Sequence, residues 1–138
     1  MECLENLKRQ HQEIRTIVSD ISSLLNFYIL LQDPVPIRNK LPALSGKLSV
    51  HLAMEDKSLY PRLIKRGRSE VQITAKVFLA EMGNLINSFQ NYSQKWLSAD
   101  SIKANPDDFI NDSNYIFRAL LQRINREDRE LYPLVEEG

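Results

Sequence analysis

Cysteine is almost absent from this chain of 138 residues. Cys3 stands alone, so no internal disulfide can form, and a reducing cytoplasm is the expected location. Glycine is scarce, at four residues, and no stretch sustains the alternation of a β-rich protein. Net charge is missing as well. Eighteen basic and eighteen acidic side chains cancel, so there is no electrostatic footprint for nucleic acid or an anionic membrane. The longest apolar stretch, LLNFYILL, is far too short to span a bilayer, and the N-terminal MECLENLKRQ lacks the apolar core of a signal peptide. Gly-rich phosphate loops and Cys/His nucleophile pairs are absent too, and the expectation is a protein that is not an enzyme. Histidine occurs only twice.

What is present is helical periodicity. The length suits one domain, residues 1–138, with a real core. Three polar breaks, DPVPIRNKLP (33–42), KRGRSE (65–70) and SADSIKANPDD (98–108), divide the chain into four long segments. In the last break Asn105 suits an N-cap, Pro106 the first helical position, and Asp107 and Asp108 the positive end of a helix. Each segment carries a 3–4 spaced stripe. The first reads Leu4, Leu7, His11, Ile14, Val18, Ile21, Leu25, Tyr28, and the second Leu41, Leu44, Leu48, His51, Glu55, Leu59. The third runs from Val71 through Phe78, Met82, Leu85 and Phe89 to Trp96, and the fourth reads Ile116, Leu120, Arg123, Glu127, Leu131, Leu134. The pattern predicts an all-α, antiparallel up-down-up-down four-helix bundle with helices near 3–31, 38–65, 69–97 and 106–136.

Five residues interrupt these stripes where the core should be: His11, His51, Glu55, Arg123 and Glu127. His51 and Glu55 lie four apart on one helix face, as do Arg123 and Glu127. Both histidines of the chain fall on stripe positions, which chance would arrange roughly one time in twelve. Buried glutamates beside them are costly unless paired or coordinated. Convergent His and Glu side chains between helices are how bundles hold metals, and a polar structural layer is the alternative. E-D-x-x-L-Y-P also occurs twice, at 55–61 and 127–133.

L-x-x-x-H-x-x-I at 7–14, H-x-x-x-E-x-x-x-L-Y-P at 51–61 and E-x-x-x-L-Y-P at 127–133 resemble the hemerythrin-like, or HHE cation-binding, family. The resemblance covers essentially the whole chain and implies a four-helix bundle around a non-haem di-iron centre. It assigns His11 and His51 to one iron, and Glu55 and Glu127 to the bridging carboxylates. The histidines expected for the other iron are missing. Arg123 stands at the fourth-helix position, and Met82 at the third-helix position on stripe placement alone. Glu81 and Asp128 are the nearby carboxylates that remain as substitutes, each about 100° around its helix from the stripe.

At most one metal per chain is therefore expected, in a mixed nitrogen and oxygen set suited to iron, with manganese or zinc as alternatives. An inward Arg123 repels a second ion and can bridge the two glutamates; an outward one would snorkel to solvent. Leu59 and Leu131 should cover the site, and Tyr60 and Tyr132 are read as amphipathic packing in preference to hydrogen-bond donors. Pro61 and Pro133 should kink or end their helices. The family resemblance implies binding or sensing of dioxygen, nitric oxide, redox state or iron. The competing expectation is a metal-free bundle acting as an interaction or dimerisation module, with a protein partner or a second copy. A di-iron oxidase is the weaker alternative, because the chain has no E-x-x-H motif.

Overall fold

A computed structural model describes residues 2–137, with side chains from Leu4 onward; the Cys3 side chain and residues 1 and 138 lie outside the described residues. Among the described residues every element is helical and there is no strand. No described helix is long and apolar enough to cross a membrane.

The first helix, α1, spans Glu2–Ser22 and ends well before residue 31. The apolar stripe continues, but Asn26 accepts the backbone N–H groups of Tyr28 and Ile29 and so starts a separate short helix, α2 (Phe27–Gln32). Helix α3 (Val35–Met54) begins earlier than expected and carries Pro42 in its interior. The third segment is divided at Gly83 and Asn84 into α5 (Ser69–Met82) and α6 (Leu85–Lys95). The polar run near residue 100 holds a short α7 (Ala99–Ala104), opened by the Ser98 hydroxyl accepting from the Ser101 N–H. Helix α8 (Pro106–Arg126) starts at Pro106 with Asn105 in the cap position, although the Asn105 side chain makes no capping bond.

Pro61 and Pro133 do not end their helices. Residues Glu55–Leu59 and Glu127–Leu131 each form a π-helical turn, after which the helix resumes as α4 (Tyr60–Arg66) and α9 (Tyr132–Glu137). A proline inside a regular helix lacks an N–H and presses its ring on the carbonyl four residues back. The wider turn relieves that conflict. The Tyr60 N–H bonds the Glu55 carbonyl and the Tyr132 N–H the Glu127 carbonyl, each five residues back. The extra residue also rotates the following helix by about 100°. Leu59 and Tyr60 are both buried as a result, as are Leu131 and Tyr132.

The apolar core is split in two. One cluster gathers Leu4 and Leu7 with Leu59, Leu63, Val71, Ala75, Phe78 and Leu131. The other runs from Ile14, Leu48 and Leu52 to Phe89, Trp96, Phe109, Leu120 and Ile124. In α1, in the α3–α4 segment and in the α8–α9 segment, the positions between the two clusters are occupied by the polar stripe residues.

Candidate metal centre

All five polar stripe residues point inward. His11, His51, Glu55 and Glu127 have no exposed surface and Arg123 is 1% exposed. One ligand atom from each of His11, His51, Glu55 and Glu127 lies within 4.8 Å of the others. His11 comes from α1, His51 from the end of α3, and the glutamates from the first residue of each π turn.

The two imidazoles have different partners. The Nδ1 of His51 lies 2.8 Å from the Gln10 carbonyl oxygen, and the Gln10 amide donates to the Met54 sulfur, so His51 carries its proton on Nδ1. Its Nε2 then offers a lone pair, 2.9 Å from Glu55 Oε1 and 3.0 Å from His11 Nε2. The Nδ1 of His11 lies 2.8 Å from Asp128 Oδ1, and its Nε2 is 3.1 Å from Glu127 Oε1. Burial disfavours protonation of His11, but its bonds to Asp128 and Glu127 outweigh that and push its pKa up to about 9. Burial, with His11 as a neighbouring charge, pushes His51 down to about 4. Burial and the Glu55 charge raise Glu127 to about 7. Four possible ligand atoms thus converge in a layer closed off from solvent. The donor set fits a cation: two imidazole nitrogens and two carboxylate oxygens on four turns of a packed bundle.

The other side of the layer belongs to Arg123, which does not snorkel. Its Nη2 donates to Asp56 Oδ1 at 2.6 Å and to Glu55 Oε1 at 3.3 Å, and its Nε donates to Glu127 Oε2 at 3.3 Å. Nη1 donates to the Met82 carbonyl at 3.2 Å, which sets Met82 beside the guanidinium. Burial alone would lower the Arg123 pKa, but Glu127 and Glu55 hold it above the ordinary arginine value. The guanidinium bridges the two glutamates.

The tyrosines correct the packing expectation. The Tyr132 hydroxyl donates to Glu55 Oε2 at 2.6 Å, and the Tyr60 hydroxyl to Glu127 Oε2 at 2.7 Å. Each L-Y-P copy therefore braces the glutamate of the other copy. Tyr132 also stacks on His11, with ring centroids 5.3 Å apart, whereas Tyr60 lies under the Arg123 guanidinium at 5.4 Å. Burial first, then the two carboxylate charges, holds both phenols above the ordinary tyrosine range.

The carboxylates weighed as substitute ligands lie elsewhere. Glu81 pairs with Arg126 at the surface. Asp128 stands behind His11, where its Oδ2 accepts from Arg15 Nη2 at 2.5 Å. Gln10, Asp56 and the phenols were not legible as site residues, since each reaches the layer from an off-stripe position or after the π turn. The repetition of E-D-x-x-L-Y-P pointed to Asp56 and the two phenols, and nothing in the sequence pointed to Gln10.

An all-helical bundle with a buried His/Glu cluster between two apolar clusters defines a class of metal-binding helical proteins. Residues 3–135 match the hemerythrin HHE cation binding domain. The chain belongs to that family, and metal binding is what the family and the clustered His11, His51, Glu55 and Glu127 together support. No curated protein and no solved structure matches the chain.

Proposed function

We propose that this chain is a hemerythrin-like protein that binds at most one transition metal ion, iron in preference to manganese or zinc, through His11, His51, Glu55 and Glu127. The observation that carries the reading is the convergence of one ligand atom each from buried His11, His51, Glu55 and Glu127 within 4.8 Å of one another. His51 Nε2 lies 2.9 Å from Glu55 Oε1 and 3.0 Å from His11 Nε2, close enough for one cation to meet all three. Arg123 occupies the other half of the layer with a fixed positive charge, which opposes a second ion. The two apolar clusters support an antiparallel up-down-up-down arrangement. One joins the start of the first helix to the end of the second, the start of the third and the end of the fourth.

When bound, iron supplies reversible one-electron chemistry and affinity for small diatomic ligands. The residues here hold, orient and enclose it: the imidazoles and carboxylates bind, Leu59 and Leu131 close the layer, and the phenols fix the glutamates. This casts the protein as a binder or sensor of dioxygen, nitric oxide, redox state or iron rather than a catalyst, working in the cytoplasm. Metal analysis of the full chain after anaerobic iron loading tests the reading. A ratio near one iron per chain is expected, and a ratio of two refutes it.

A second reading is favoured by a separate observation. Among the described residues every buried side-chain nitrogen and oxygen has a partner without any metal. The alternative is a metal-free bundle whose Arg–Glu–His layer fixes helix register and which acts as an interaction or dimerisation module. A ratio near zero after loading selects it.

A further inference from the structure

The aspartate that follows each glutamate in E-D-x-x-L-Y-P is outside the proposed ligand set, yet both copies reach the polar layer. Asp56 accepts from Arg123, and Asp128 accepts from His11 Nδ1 at 2.8 Å. The two histidines are consequently backed by different chemistry. Behind His11 is a carboxylate; behind His51 is the neutral carbonyl of Gln10, at the same 2.8 Å. Both partners fix the tautomer that leaves Nε2 free to donate. Only the carboxylate also pushes electron density through the ring, which makes Nε2 the stronger donor.

We propose that Asp128 is a positioning residue that tunes the bound metal: acting through His11, it strengthens the metal–nitrogen bond and favours the ferric over the ferrous state, whereas Gln10 only orients His51. The inference rests on the one-metal reading above. Arg15 is part of the device. Its guanidinium holds Asp128 Oδ2 at 2.5 Å and also donates to Asn125 Oδ1 at 2.9 Å. That contact keeps the Asp128 carboxylate turned away from the metal side and presents Oδ1 to the imidazole. A purely structural salt bridge between α1 and the second π turn would hold the helices together equally well, but it would leave the electronics of the metal unchanged.

The test uses the full chain loaded with iron, with stoichiometry, chelator-competition affinity and reduction potential measured together. Asp128→Asn keeps an acceptor for the His11 Nδ1–H and removes the charge. It should retain one iron per chain, bind it about 10–100-fold more weakly, and lose more ferric than ferrous affinity. Each tenfold of that difference raises the reduction potential by about 59 mV. Gln10→Glu places a carboxylate behind the other imidazole and should lower the potential. Asp128→Glu, which keeps the charge, should stay near the wild-type potential.

If Asp128→Asn binds iron at the wild-type potential, Asp128 is only structural and the inference is overturned. Should that variant fail to fold, Gln10→Glu decides alone, and an unchanged potential there has the same consequence. A wild-type chain that takes up no iron overturns the one-metal reading, and this inference with it. A wild type that binds iron while the variants do not move its potential overturns this inference only.

Discussion

Replacing Arg123 by methionine removes the one fixed cation of the buried layer while keeping most of its volume. The guanidinium donates to three carboxylates, those of Glu55, Asp56 and Glu127, and to the Met82 carbonyl. Taking one partner out of such a buried network costs about 3–5 kcal/mol, because the opposite charges stay buried without compensation. That is a large part of the ~5–15 kcal/mol available to a domain. It corresponds to a fall of about 10–15 °C in unfolding temperature. The expectation applies to protein kept metal-free with chelator. Iron supplies positive charge to the same two glutamates, so loading should narrow the gap between variant and wild type. Urea unfolding of both proteins, each with chelator and each with iron, measures the four stabilities required. A chelated Arg123→Met within ~1 kcal/mol of wild type would sink the argument, since it would mean the carboxylates do not depend on Arg123.

The remaining expectations concern the same layer. His51→Ala should abolish iron uptake, because it deletes one of only two nitrogen donors; retained uptake at a ratio near one would remove His51 from the ligand set. The metal-free protein should lose stability as pH rises from about 7 to about 9. The His11 pKa is raised by folding to about 9, so the native state holds a proton that the unfolded chain has released. Over that interval iron affinity should rise, since binding must displace the same proton, and chelator competition at several pH values reads the slope. Tyr132→Phe should destabilise the chain by about 1–3 kcal/mol, the cost of a buried carboxylate oxygen deprived of its donor; a neutral outcome in urea unfolding would return Tyr132 to simple packing. Arg123→His with Met82→His should let the chain take up a second iron, with oxo-bridge absorption in air, since Met82 adjoins the guanidinium and the bridging carboxylates are in place. If the folded double variant stays mononuclear or empty, either Met82 is not the lost ligand position or the bundle has closed over the cavity.

Much of the layer could be read from the one-dimensional pattern. His11, His51, Glu55, Arg123 and Glu127 fall on apolar stripes, and within the long helices these positions face the core. The stripe position Tyr28, beyond the end of α1, is 74% exposed instead. The family followed from the same residues and their spacing, and the match over residues 3–135 bears it out. The boundaries were less legible. Periodicity runs unbroken through Ser23–Asn26 and Gly83–Asn84, where local side-chain caps and glycine end one helix and start another.

The tertiary structure decided what the period could not encode. A regular helix from Glu55 onward would turn Tyr60 away from Glu55, yet the π turn forced by Pro61 adds a residue and swings the phenol into the core. The same happens at Tyr132, and only the packing of the two segments against each other crosses the phenols onto the opposite glutamates. Gln10 and Asp128 likewise lie off their stripes. They become partners of His51 and His11 because α1 packs against α3 on one side and against the second π turn on the other. The residue types of the layer were thus dictated locally by burial. Which atom meets which, and which imidazole gains a carboxylate behind it, was settled by distances between helices far apart in the chain.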